Sequence, residues 1–211
     1  FFNLNGRTNN LQIINNMKDC MKNNTPIKYI ENFIENDGEL FNKLWKELAW
    51  ERRGETPRRE YYCNEISVPY TYGVKEFART YEPKVWHEAI LEIKNKVEKE
   101  LGIKLEVCFL NGYENSKDQL NWHSDDSPEM DDSRPIVIVT LGATREIWFR
   151  KIPKNGEKIP MENVDKLMLK SGSMCIMSPG MQDTHQHRIP KSGYECGPRI
   201  SLTFRGYLNS D

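Results

Sequence analysis

The sequence predicts an α+β fold in which N-terminal helices pack on one side of a β-sandwich or jelly roll. Two observations carry that expectation. Residues 37–48 and 83–101 repeat apolar side chains at helical spacing, and after Gly102 the texture changes to short β-branched or alternating runs. A length of 211 residues suits one domain with a full hydrophobic core.

Taken in order, residues 1–36 read as an Asn-rich N-terminal extension with one short amphipathic helix around Ile13, Ile14, Met17 and Met21. Residues 37–211 read as a single domain. Its first helix carries Leu40, Phe41, Leu44, Trp45 and Leu48 on one face, with Asp37 placed to cap the N-terminus. Residues 51–59 are a charged breaker that runs into Tyr61, Tyr62 and the turn formers of residues 69–73. The second helix, 83–101, has Pro83 in the favoured first position and Gly102 as its stop. Trp86, Ala89, Ile90, Ile93, Val97 and Leu101 form its stripe, and His87 falls off that stripe as a surface residue. Strands are expected at 105–113, 135–141, 146–151, 173–178 and 200–207, with a turn at Gly142-Ala143-Thr144 and a loop at 154–158.

Composition excludes several classes. Thirty Lys and Arg against 31 Asp and Glu leave a net charge of −1, which argues against holding duplex DNA chiefly by bulk charge. No run approaches the ~18 apolar residues that cross a bilayer, and no secretory signal is visible at the start. Cys20, Cys63, Cys108, Cys175 and Cys196 are scattered and form no CxxC pair. That pattern fits reduced thiols in the nucleus or cytoplasm rather than a disulfide framework or a zinc cluster.

The chemistry gathers around the four histidines. Asp125 follows His123 at i+2, so in an extended segment both side chains point the same way and can converge on one ion. About 0.2 such pairs arise by chance in a chain of this composition, so the pair alone is weak. A further histidine source lies downstream in His185-Gln186-His187. Two histidines and a carboxylate make the facial triad of non-haem Fe(II), and zinc accepts the same donors. The last strand alternates strictly: Ile200, Leu202 and Phe204 face one way, Arg199, Ser201, Thr203 and Arg205 the other. An arginine at each end can clamp a dicarboxylate, although about 20 Å of strand separates their Cα atoms, so both side chains must lean inward. Asn111 and Tyr113 form a second same-face pair, suited either to a polar lining or to the core.

Asn111-Gly112-Tyr113, Trp122-His123-Ser124-Asp125-Asp126, His187-Arg188-Ile189-Pro190 and the RISLTFR run at 199–205 together resemble the AlkB family. These are Fe(II)- and 2-oxoglutarate-dependent dioxygenases, and the likeness is closest to their eukaryotic nucleic-acid demethylase branch. It covers roughly residues 37–207 with the motifs in the family's order, and it implies a double-stranded β-helix. By position, the resemblance implies that His123, Asp125 and His187 bind iron. Choosing His187 over His185 rests on the family's spacing before the HRIP tetrapeptide. The same resemblance gives 2-oxoglutarate to Asn111, Tyr113, Arg199, Thr203 and Arg205, with Arg199 on the distal carboxylate and Arg205 near the metal.

On the substrate side, residues 52–75 look like the family's lid, with Arg58, Arg59, Tyr62, Tyr70 and Tyr72 as contacts and His185 as a pocket-lining residue. Asp126 matches a position that approaches the substrate base. The implied activity is oxidative demethylation of N1-methyladenine or N3-methylcytosine type bases in DNA or RNA. 2-Oxoglutarate and O2 would become succinate and CO2, and formaldehyde would be released. A long interval between Pro57 and Pro69 and the near-neutral charge favour a single-stranded or locally melted substrate; the enzyme is expected to be a monomer. The competing readings are a hydroxylase of a protein or small molecule on the same scaffold, and a non-catalytic binding module.

Overall fold

The computed structural model describes residues 21–54, 56–72, 78–154 and 156–208. Of the expected N-terminal helix only Met21 falls within them. The elements in chain order are β1 (Ile27–Ile30), α1 (Asp37–Glu47), β2 (Arg59–Asn64), β3 (Tyr70–Tyr72), β4 (Arg79–Tyr81), α2 (Glu88–Leu101), β5 (Val107–Tyr113) and β6 (Leu120–His123). There follow β7 (Ile136–Gly142), β8 (Arg145–Lys151), β9 (Asp165–Leu169), β10 (Met174–Met177), β11 (His185–Ile189) and β12 (Arg199–Arg205).

Two antiparallel sheets face each other. The larger runs β1-β10-β7-β12-β5-β2, the smaller β6-β11-β8-β9, and β3 pairs with β4 as a separate hairpin. This is the jelly roll expected from the sequence. Alternation along each strand divides the larger sheet into two faces. Leu110, Val139, Leu202 and Phe204 point out to the helices and pack on Leu40, Leu44, Ile90, Ile93 and Val97. Tyr113, Ile138, Cys175 and Met177 point in, toward Ile147, Phe149 and Leu167 of the smaller sheet.

Five expectations need correction. The boundary expected after residue 36 falls inside the packed body, because β1 pairs along its length with β10. Asn36, not Asp37, stands at the N-cap of α1; Asp37 is the first helical residue and accepts a hydrogen bond from the Ser171 hydroxyl. The second helix starts at Glu88 rather than Pro83, since the Lys84 N–H is taken by the Tyr62 carbonyl at 2.8 Å, which keeps that segment extended. His87 is therefore no idle surface residue. Its Nδ1 accepts from Ala89 N at 3.1 Å as the cap, and its Nε2 meets Glu47 at 3.0 Å. Finally, β2 forms where a breaker and lid were expected, because its polar side chains find buried partners in β4 and β5.

The β7–β8 turn is fixed by Gly142, at φ +86, where an added Cβ would meet the Pro198 carbonyl oxygen at 2.5 Å and the Phe41 ring at 2.8 Å. Gly142→Ala is expected to lose about 1–3 kcal/mol or more of stability, read as a lowered midpoint in chemical denaturation. An unchanged midpoint would show that the turn can relax.

Candidate active site

Pairing of β6 with β11 sets His123 directly opposite His187 on the inner face of the smaller sheet. Their rings lie 4.2 Å apart between centroids. Asp125, two residues past the end of β6, turns inward and completes the group. Its Oδ1 lies 3.6 Å from His123 Nε2 and its Oδ2 3.6 Å from His187 Nε2. One donor atom from each residue falls within 4.8 Å of the other two.

Hydrogen bonds behind the donors hold them in place. His123 Nδ1–H donates to the Asn121 carbonyl at 2.8 Å, which leaves the Nε2 lone pair aimed at the other donors. The Asp125 N–H donates to Gln182 Oε1 at 2.9 Å, so the turn before β11 positions the carboxylate. Burial, with repulsion from His123, pushes the His187 imidazole down to about 3, against the pull of Asp125. Burial also lowers His123. Both rings are thus neutral near neutral pH, as metal ligands must be. Burial alone would raise the Asp125 carboxyl; Arg205 and the two imidazoles override it and hold it below the ordinary range. The Arg205 guanidinium sits 2.6 Å from Asp125 Oδ1, with both side chains buried.

The larger sheet supplies the facing wall. β12 is a central strand between β7 and β5, so its polar side is enclosed. Register places Arg199 opposite Tyr113 and Ser201 opposite Asn111. The two arginines do not converge. Arg205 turns to Asp125, whereas Arg199 lies over the Tyr113 ring at 5.2 Å and donates to Thr140 Oγ1 at 3.0 Å. Arg199 is 0% exposed, yet its Nε and Nη1 have no hydrogen-bond partner among the described residues. Burial, with Arg145 nearby, lowers it to about 10, so it stays cationic at neutral pH. A buried cation with two unused N–H groups calls for an anion.

Together these features fit the groups that the resemblance implies. Two neutral imidazoles and one ionised carboxylate suit Fe(II), and a caged guanidinium suits a carboxylate. Asn111 is aligned by Arg58, whose Nε donates to Asn111 Oδ1 at 2.6 Å and leaves the amide N–H groups to face a ligand. Thr203 is buried on the same face as Arg199 and Arg205.

The expected substrate contacts fare less evenly. Tyr70 lines the cleft, hydrogen-bonds Ser127 Oγ at 2.8 Å and accepts from Arg205 at 3.3 Å, so it joins the lid to the loop beyond Asp125. Tyr62 instead belongs to the core, packed on Tyr70 and Phe109 with its hydroxyl on the Val68 carbonyl. The lid arginines are committed to carboxylates: Arg58 to Glu60, Arg59 to Glu114, Arg52 to Glu114 and Asp118, and Arg53 to Glu51. Arg59 also lies over Trp45, on the helix side of the sheet. His185 lines a separate cavity of about 410 Å³ with Arg150, Lys151 and Lys154. Asp126 is exposed beside Asp125. The Tyr72 side chain and residues 73–75 lie outside the described set.

Sequence reasoning missed Tyr81, Phe109 and Leu120, which line the cleft with Arg58, Asn111, His123, Asp125 and Arg205. Phe109 was within reach, since it shares the face of Asn111 and Tyr113 on β5. It also missed Arg145, whose fully buried guanidinium donates to the carbonyls of Asn115, Asp118 and Pro190.

The chain is similar to known proteins. The chain is 35% identical over 178 residues to alpha-ketoglutarate-dependent dioxygenase alkB homolog 3 of Bos taurus, covering 79% of this chain and 60% of the relative. The Homo sapiens protein of that name is 33% identical over the same shares. DNA oxidative demethylase ALKBH2 of Mus musculus is 27% identical over 83% of this chain and 72% of its own. The chain therefore spans about 60% of the length of the first two relatives. Among solved structures, one titled "The structure of OsALKBH1" superposes with a TM-score of 0.61 at 16% identity, over 87% of this chain and 98% of that one, a likeness of fold. Residues 28–205 match the 2OG-Fe(II) oxygenase superfamily, and with the His-Asp-His donors and the caged arginine at the positions described, the chain belongs to that family.

Proposed function

We propose that the protein removes N-linked methyl groups from nucleic-acid bases, of the N1-methyladenine and N3-methylcytosine type, with single strands preferred. The observation that carries this reading is the placement of the three metal donors on one sheet, facing two buried guanidiniums on the other. Two named relatives, a dioxygenase and a DNA oxidative demethylase, support the substrate class.

His123, Asp125 and His187 would hold Fe(II). Arg199, with Tyr113, would hold the distal carboxylate of 2-oxoglutarate, while Asn111 and Arg205 bind its other end and Thr203 lines the wall between. When bound, iron and 2-oxoglutarate supply with O2 the oxidation of an N-methyl carbon, the keto acid leaving as succinate and CO2. The hydroxymethyl product then loses formaldehyde and a proton, which returns the neutral base. Tyr70, Tyr81 and Phe109 give the cleft an aromatic lining that limits water and suits a flat ring. Asp126, carrying negative charge beside the donors, would favour the cationic ring of a methylated base over a neutral one. The enzyme would act as a monomer in the nucleus or cytoplasm; the described cysteines are free thiols, in keeping with a reducing compartment.

Mass spectrometry of N1-methyladenine, N3-methylcytosine and N6-methyladenine oligonucleotides, single- and double-stranded, with Fe(II), ascorbate and 2-oxoglutarate, tests the proposal. Loss of the methyl group matched by succinate is the expected result for the first two. Asp126→Ala should keep most of the 2-oxoglutarate turnover seen without substrate while losing demethylation. Succinate release with every oligonucleotide unchanged would point instead to a protein or small-molecule hydroxylase.

A further inference from the structure

The lid arginines expected to meet phosphates are paired with carboxylates, so the cations free for a polyanion lie elsewhere. They stand on the outer face of the smaller sheet. Arg188 of β11 lies over Trp122 at 5.6 Å and over Trp148 at 5.1 Å. Arg150 of β8 covers Trp122 at 4.2 Å, and Lys166 of β9 covers Trp148 at 4.4 Å. β11, β8 and β9 are adjacent, and register sets Arg188 opposite Trp148 and Trp148 opposite Lys166, with Arg150 opposite Gln186 two residues along β8, so the three cations form a staggered row on this face. None of them makes an ion pair among the described residues. Arg150 bonds only the neutral Gln186 amide, and the Glu146 carboxylate on the same face accepts the Trp148 indole N–H. Burial and the adjacent Arg188 pull the Arg150 guanidinium below its ordinary range, as unneutralised like charges do.

We propose that this row is a track for the phosphate backbone of the nucleic-acid strand flanking the target base. Three features favour that occupant. The tryptophans are capped by cations, so they hold guanidiniums in place rather than offer an apolar anchor to a protein or lipid surface. The charges step from strand to strand, Arg150 offset by two residues from the Arg188 and Lys166 register, which suits more than one phosphate of a backbone. The row also adjoins the strands of the site: Trp122 precedes His123 on the edge strand β6 and Arg188 follows His187, on the opposite face of the sheet from the donors, so a strand leaving the cleft would reach it around the β6 edge. Arg150 also lines the cavity that it shares with Lys151, Lys154, Glu157 and His185. A net charge near zero is then compatible with strand binding, because the cations of the lid are neutralised locally and those of the track are not. The proposal rests on the nucleic-acid reading above.

The test compares the Arg150→Glu/Lys166→Glu protein with Lys99→Glu, which alters charge on the exposed end of α2. Binding of an unmodified single-stranded oligonucleotide is followed by fluorescence anisotropy across a salt series. The double variant should bind roughly tenfold or more weakly and flatten the plot of log affinity against log salt by about 1.4, for two lost phosphate contacts. Lys99→Glu should match the parent, as should 2-oxoglutarate turnover without substrate in both variants. Arg150→Gln/Lys166→Gln provides the same comparison with gentler changes if the Glu pair unfolds. An unchanged salt slope, or an equal loss with Lys99→Glu, overturns the track. If the parent protein neither binds nor demethylates any oligonucleotide, it is the nucleic-acid reading itself that fails.

Discussion

Asp125→Ala is expected to abolish divalent-metal binding and also to destabilise the fold, two effects with separate causes. The first follows from removing the carboxylate between two imidazoles 3.6 Å away on either side. The second follows from Arg205, whose guanidinium sits 2.6 Å from that carboxylate and would lose this buried ion-pair partner. Breaking a buried pair from one side costs about 3–5 kcal/mol. The double variant Asp125→Ala/Arg205→Met should regain much of that loss while still failing to bind metal. Mn(II) titration by electron paramagnetic resonance reports the first effect and urea denaturation the second. If the single variant keeps the stability of the parent, the Arg205–Asp125 pair is not what holds this corner together.

Arg199→Met should behave in the opposite way. Its guanidinium has no carboxylate partner among the described residues and leaves two N–H groups unused, so deleting the charge should leave the ligand-free protein as stable as the parent or more so. 2-Oxoglutarate binding should fall about 100-fold, the equivalent of about 3 kcal/mol for a charge-assisted contact in an enclosed site. In thermal melts the parent should gain stability as 2-oxoglutarate is added with Mn(II), whereas the variant should show no such gain. A ligand-free variant that melts much earlier would mean that Thr140 and the Tyr113 ring already satisfy this cation.

These two arginines also show what the sequence made legible. Strict alternation in β12 placed both on one face, and their common enclosure follows from the strand's central position, with neighbours on either side. Which partner each would meet lay in tertiary register rather than in spacing: Arg205 meets Asp125, and Arg199 meets Thr140 and the Tyr113 ring. Residues 52–62 misled for a similar reason. Arg58, Arg59 and Tyr62 have the composition of a nucleic-acid contact, but Glu60, two residues along the chain, claims Arg58, and Glu114 and Phe109, brought in by β2–β5 pairing, claim the other two. The start of α2 was misplaced because Pro83 carries a strong local signal, and the competing hydrogen bond from Lys84 to Tyr62 reaches across the fold. The metal donors were the most legible part, since i+2 spacing and the HRIP neighbourhood needed no knowledge of the partner strand.

One buried side chain joins the distant halves of the donor set mechanically. Arg145 ties the loop that leads into β6 to the carbonyl of Pro190, just beyond β11. The strands bearing His123 and His187 are thereby stapled at their roots as well as zipped along their length. The excursion between β8 and β9 carries none of these ties. Insertions or deletions around residues 152–160 should leave the spacing of the imidazoles untouched, which makes that excursion a natural place to splice a reporter or a foreign epitope.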